Sequence, residues 1–314
     1  MANNSYWRRR EERHIRNQIK NDAEIAKQIR ANQDAALEEI ELLIQAFYAR
    51  YAGKEGISMS DARKRVRKAD VKRYAEKAKR YVKERNFTVT ANEEMRLYNA
   101  TMRINRLEML KHDIRLEIIA MASEEERILD ESLTEAARAE YERQSGILGE
   151  TVTANAKKID TIINTSFQNA TWSERLWSNQ DALRLEVERQ LNRGIFQGLN
   201  PRELARELRK TIDSSVSNSE RLMRTEMARV QSDVFKDSLD QADFEQYEFI
   251  SEPDACPVCK ALDGEVFNKA DMEVGTNMYP MHPNCRCSTA AYMDREALWE
   301  EIEGRESSWI FSFW

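Results

Sequence analysis

The chain has 314 residues, a formal net charge of −6 and 33% charged residues, with only 9 Gly and 5 Pro. That composition favours long helices over a compact sheet protein, and the length suggests about two domains. No run of about 18 apolar residues occurs, so no membrane span is expected; residues 1–10 carry charge with no apolar core behind them, unlike a secretory leader.

Charge is unevenly spread. Residues 1–85 hold 22 Lys/Arg against 13 Asp/Glu, a net of +9, whereas 86–145 are net −5 and 146–314 net −10. A basic front and an acidic back speak of partners rather than of fold.

Residues 7–52 read as one long helix. Ile15, Ile19, Ile25, Ile29, Leu37, Ile40, Ile44, Phe47 and Tyr51 recur mostly at three-, four- or seven-residue spacings. Gly53 and Gly56 are its expected stop, and Ser60 or Asp61 offers a cap for a second helix over about 61–85. Residues 63–85 hold 12 Lys/Arg and 3 Asp/Glu. Arg63, Lys64, Arg65, Arg67, Lys68, Lys72 and Arg73 are therefore candidates for contacting DNA phosphates, without reading sequence, or a protein partner. The competing reading is a solvated helix face that meets acidic helices of the same chain or a neighbour.

Residues 91–144 carry an apolar series from Met95 to Leu133 with no Gly or Pro, which predicts one or two further helices. His112 stands alone in it and reads as an ordinary packed or surface histidine. Gly146 and Gly149 mark a break, and 150–170 read as a weak helix or hinge. Trp172 and Trp177 flank a helix to about Arg193, which the Gly194–Gly198 stretch is expected to stop. Asn200-Pro201, with Glu203 following, starts another. Ser217 or Ser219 would cap a separate helix over about 218–242. Beyond Asp243 the period becomes two: a short strand about Tyr247 and Phe249, a hairpin turning at Asp263-Gly264, and a returning strand at 288–293. Residues 295–304 read as a short acidic helix. The tail from Trp309 to Trp314 is almost wholly apolar, so it either folds back or docks on a partner.

All four cysteines fall within 256–287, in two knuckles 22 residues apart. Cys256-x-x-Cys259 presents two thiolates from one turn, and His282-x-x-Cys285 can do the same from a second. This is the donor set of a structural zinc site, with Cys256, Cys259, His282, Cys285 and Cys287 competing for four places. A full Cys/His shell leaves no open position, so the metal would hold the fold rather than do chemistry. Two disulfides, or a redox Cys-x-x-Cys, are the other readings. The former suits small secreted domains, and the latter would not need the second knuckle.

These residues carry a resemblance. Asp254-x-Cys256-x-x-Cys259-x-x-Leu262-Asp263-Gly264, followed by His282-Pro283-Asn284-Cys285-Arg286-Cys287, resembles the signature of the phage head morphogenesis family, the minor head proteins similar to the F protein of phage Mu. Arg224-Thr225-Glu226 extends the likeness upstream, and the whole covers roughly 190–295. The resemblance implies a minor capsid protein on or near the portal, inside the procapsid and then the virion, acting in head assembly and in DNA packaging or ejection. The portal protein is the implied partner, with the major capsid or a scaffolding protein as further candidates. It also implies that Arg224, Thr225 and Glu226 are buried against the zinc module and fix its docking, with Asp263 and Gly264 in a structural turn.

A nuclease needs a general base and metal ligands with open positions, and only His282 lies near the cluster. A zinc module that reads nucleic acid needs basic and aromatic residues around its knuckles, whereas Asp254, Asp263, Glu265, Asp271 and Glu273 outnumber the cations here. No residue is assigned to catalysis. The expected fold is mainly α with a small α+β C-terminal module, in which long N-terminal helices precede a zinc-clamped helix-plus-small-sheet domain. The expected divisions are 1–145, 146–305 and the apolar tail 306–314.

Overall fold

The computed structural model describes residues 2–51, 57, 59–64, 66, 68–84, 87–96 and 105–293, without the side chains of 2–5, 59, 68 and 93–96. The expected stops at Gly53 and Gly56, the acidic helix at 295–304 and the apolar tail lie outside these residues. The described chain is mainly helical, with a small three-stranded antiparallel sheet near its end. It divides into two compact units, and each is assembled from distant stretches.

The helical unit takes in Asn21–Glu135 and Asp160–Met227. Four helices share its core: α1 (Ala2–Tyr51), α5 (Arg106–Leu148), α7 (Trp172–Phe196) and α8 (Pro201–Gln241). Each brings a stripe at three- and four-residue spacing: Leu37, Ile40, Ile44 and Phe47; Leu110, Ile114, Ile118 and Met121; Leu183, Val187, Leu191 and Ile195; Leu204, Leu208 and Ile212. Such spacing puts every member on one face, and burial of those faces is the main stabilising term. A second cluster joins Tyr81 and Phe87 to Leu116 and Ile119 on α5.

The basic stretch is not one helix. A short α2 (Met59–Ala62) is separated from α3 (Lys68–Glu84) by a turn and bend at Arg63 and Lys64. Five cations crowd 63–68, where a continuous helix would stack them one turn apart. Asp70, in the first turn of α3, suits the helix N-terminus and is held by Tyr51, Arg50 and Arg73. α4 (Val89–Arg96) and then α5 cover the described part of the next predicted run. The weak helix expected within 150–170 is short, α6 (Ala156–Ile163).

The predicted break before 218 is absent, because α8 runs unbroken from Pro201 to Gln241. Neither Ser217 nor Ser219 starts a helix: both lie inside α8, where Ser219 donates to Glu125 of α5 at 3.1 Å, and the nearby Ser214 and Ser215 donate back to the carbonyls of Thr211 and Ile212. The apolar stripe meanwhile continues through Val216, Met223, Met227 and Val230. The start of α8 is as expected. Asn200 Oδ1 accepts the N–H groups of Arg202 and Glu203 at 3.0 Å, and Glu203 answers the Asn200 N–H at 3.3 Å. Gly194 does not stop α7. It lies within the helix, and the stop comes at Gly198, whose φ of +71° closes a Schellman turn through Leu199 N–H to Gly194 C=O at 2.9 Å.

The sheet unit takes in Met1–Lys20, Ala136–Ile159 and Ala228–Trp314, as far as residue 293 is described. Its strands are β1 (Gln246–Ile250), β2 (Val266–Asn268) and β3 (Ser288–Tyr292), with β1 in the middle. Tyr247 stands opposite Phe267 on one side and Ala291 on the other. The predicted 261–267 hairpin does not form. Pro257–Ala261 is instead a short helix, α9, started by Pro257, and β2 pairs with β1. Asp263-Gly264 still turns the chain, with Gly264 at φ +82° and its N–H bonded to Phe249 C=O at 2.8 Å. One sheet face packs Tyr247 and Phe249 on Phe235, Leu239, Met278 and Tyr279. On the other, Ile250 and Ala290 meet Ile15.

Candidate metal centre

The sheet unit gathers the five predicted ligands. Cys256 caps α9 and Cys259 sits on it, one turn along. The second knuckle is a tight loop, in which Cys285 N–H bonds His282 C=O at 3.1 Å and Asn284 adopts φ +67°. His282 Nδ1 lies 2.9 Å from Pro283 C=O, which fixes the proton there and turns the Nε2 lone pair to the thiols. Nε2 is 3.3 Å from Cys256 Sγ and 3.4 Å from Cys259 Sγ. In tetrahedral zinc with ordinary Zn–S and Zn–N bonds, the ligand-to-ligand edge is about 3.6 Å.

Two triplets overlap. Cys256, Cys259 and His282 form one, and Cys259, Cys285 and Cys287 the other, each with its ligand atoms within 4.8 Å of one another. Cys259 belongs to both. Cys259, Cys285 and Cys287 are buried, and Cys256 is half-buried. All four are free thiols, and no disulfide joins them. Their electrostatics are those of a crowded site. A hydrogen bond from the Cys287 thiol holds Cys285 down at about 6, while burial pushes Cys259 up to about 12. Several buried thiolates side by side repel, and a divalent cation removes that penalty. The donor set fits a soft or borderline metal such as zinc.

Asp263 supports the first knuckle from outside. Its carboxylate accepts the Ser251 N–H at 2.8 Å and pairs with Arg8 at 3.0 Å. Sequence reasoning found the turn but not Arg8, which is 255 residues away. It also missed a buried network beside the loop. Glu11 accepts from Arg143 at 2.6 Å and from the Ser288 hydroxyl at 2.8 Å, and Arg143 pairs with Glu140 at 2.8 Å. Glu248, an alternating polar position in β1, is buried as well, with Arg8 at 3.8 Å. No local pattern marks such pairs; each residue alone reads as a surface charge.

The other candidates lie in the helical unit. Arg224 pairs with Glu220 at 3.4 Å, and Thr225 donates to Arg221 C=O at 2.7 Å. Glu226 is buried with Arg175 of α7 at 4.0 Å. Of the basic candidates, Arg63 is exposed and Lys64 pairs with Asp61. Lys72 pairs with Glu76 at 3.8 Å and Arg73 with Asp70 at 3.1 Å. Arg65, Arg67 and the side chain of Lys68 lie outside the described residues. Further along α3, Lys77 reaches buried Glu117 at 2.6 Å. No described helix is long and apolar enough to cross a membrane.

A thiol and imidazole cluster that could hold a metal ion, closed over by a small sheet and the end of a long helix, marks this module. Residues 185–290 match the family of phage Mu protein F like proteins. The matched stretch runs from within α7 to within β3 and contains both knuckles, and it supports a protein of the phage head morphogenesis family. No curated protein and no solved structure matches the chain.

Proposed function

We propose that this chain is a minor capsid protein of a tailed bacteriophage that joins the portal during head assembly and acts in DNA packaging or ejection. It is a structural and interaction protein rather than an enzyme, and its place is inside the capsid. The observation that carries this reading is the phage Mu protein F like stretch with its thiol and imidazole cluster intact. Zinc is the proposed occupant, held by four of Cys256, Cys259, His282, Cys285 and Cys287. Its role is to clamp the two knuckles together, which a small sheet module needs because so few residues supply little core of their own.

The portal is the proposed partner, with the major capsid or a scaffolding protein next. Lys77 reaches buried Glu117 of α5 at 2.6 Å, which supports helix packing there, while Lys64, Lys72 and Arg73 make only local pairs and stay exposed to a partner or to DNA phosphates.

The test is to coexpress the chain with the portal and major capsid proteins of the same genome and to measure particle composition and zinc. Co-purification with the portal at a few copies, with about one zinc per chain by the ligand count, is expected. A zinc-loaded chain that never joins particles overturns the head role. Joining without zinc overturns the clamp.

A further inference from the structure

Among the described residues, the helical unit holds one fully buried carboxyl that no cation answers. We propose that Glu125, with the three neutral side chains that reach it, forms a pH-sensitive polar layer that tightens the helical unit in acid and loosens it as the carboxyl ionises.

The layer is built from four helices. Glu125 of α5 is 0% exposed. Gln33 of α1 donates Nε2 to Oε1. Gln180 of α7 donates Nε2 to Oε2 at 3.0 Å, and Ser219 of α8 donates Oγ to Oε2 at 3.1 Å. These three partners are 1%, 3% and 1% exposed. Their positions continue the apolar stripes. Gln33 precedes Leu37 by four, Glu125 follows Met121 by four, Gln180 precedes Leu183 by three, and Ser219 follows Ile212 by seven. Helical spacing thus turns all four toward the core, where hydrophobic residues would otherwise stand.

The charged groups near the layer are engaged elsewhere. Arg30 of α1 pairs with Glu220 of α8 at 2.6 Å. Arg175 of α7 lies 4.0 Å from Glu226 of α8. Glu126, next to Glu125 on α5, accepts from Ser173 of α7 at 2.6 Å. Asp34, Glu124 and Asp181, adjacent in sequence to members of the layer, reach solvent. Burial therefore dominates and lifts the carboxyl to about 7, against the three hydrogen bonds that lower it.

The hydrogen-bond inventory agrees. The amide oxygens of Gln33 and Gln180 are buried without a partner among the described residues. A carboxylate only accepts, so it cannot serve them. A protonated Glu125 supplies a donor, and rotation of one amide presents an oxygen to it.

The sign follows from linkage. Glu125 ionises at the ordinary 4.5 when unfolded and near 7 when folded. Between those values the folded state holds one proton more, so stability falls as pH rises through the window and levels above it.

The experiment is urea unfolding of the full chain and of Glu125→Gln across the pH range. The unfolding constant of the wild type relative to the variant should rise about tenfold per pH unit within the window, about 300-fold in all. A ratio independent of pH overturns the proposal. If Glu125→Gln does not fold, the side-chain carboxyl of Glu125 is titrated directly in the wild-type chain by carbon NMR with labelled glutamate. A midpoint near 7 supports the layer; one in the ordinary carboxylate range overturns it.

Discussion

Cys259 is the residue on which the candidate metal centre turns, because it alone belongs to both thiol triplets. Replacing it removes the one donor that ties Cys256 and His282 to Cys285 and Cys287. Cys259→Ser should therefore abolish zinc retention and the cooperative melting of the sheet unit while leaving most far-UV helicity. Zinc analysis and circular dichroism on one sample check it, and a variant that keeps a full equivalent of zinc contradicts the assignment. Cys285 and Cys287 are less separable, since each has the other and Cys259 as neighbours. The spacing of the five donors made this cluster legible from the sequence. The residues that brace it were not, because Arg8 and Glu11 lie more than 250 positions from Asp263 and Ser288.

At the level of elements, the apolar stripes of α1, α5, α7 and α8 were readable because three- and four-residue spacing survives whatever the helices pack against. The cap of α8 was readable because Asn, Pro and Glu stand in the order that its first turn requires. Serine was misleading. Ser219, one of the two expected caps, instead lies inside α8 and donates its hydroxyl to Glu125 of α5. The Gly194–Gly198 stretch does end α7, but at Gly198; Gly194 lies inside the helix, where a Cβ would meet Leu204 Cδ1 at 2.7 Å. Gly194→Ala should thus cost about 1–3 kcal/mol through overpacking. Gly146 is also helical, but a Cβ there would have no neighbour within 4 Å, and Gly146→Ala should gain about 0.5–1 kcal/mol. Urea midpoints of the two variants, moving in opposite directions, check the pair. The Gln33, Glu125, Gln180 and Ser219 layer was invisible, since polar residues in a helical pattern read as its solvent face.

Across the whole molecule two buried carboxyls, one in each unit, answer pH with opposite sign. Glu125 loses stability as pH rises, by on the order of 3 kcal/mol across its window. In the sheet unit burial pushes Glu140 up, but Arg143 beside it outweighs that and holds the carboxyl below its ordinary value. Its contribution is present above the unfolded value and is lost as pH falls through the depressed one. The Glu11 network should act on that unit alone. Glu11→Ala takes the acceptor from the Ser288 hydroxyl and leaves Arg143 with Glu140 alone, the loss of a buried charge-assisted bond worth about 1.5–3 kcal/mol. Amide hydrogen exchange should quicken in β1 and β3 while α7 keeps its protection; equal quickening in α7 would show that the two units do not open separately.

The bond from Ser288 to Glu11 spans 277 positions of the chain. During synthesis on the ribosome, residues 1–20 therefore wait for almost everything else to emerge before their own unit can close. The helical unit has its last residue, Met227, roughly sixty positions earlier. Contacts so distant in sequence are slow to form. The order in which the polypeptide appears thus favours a nascent chain whose helical unit is built first, with residues 1–20 still waiting for the thiol segment that follows it.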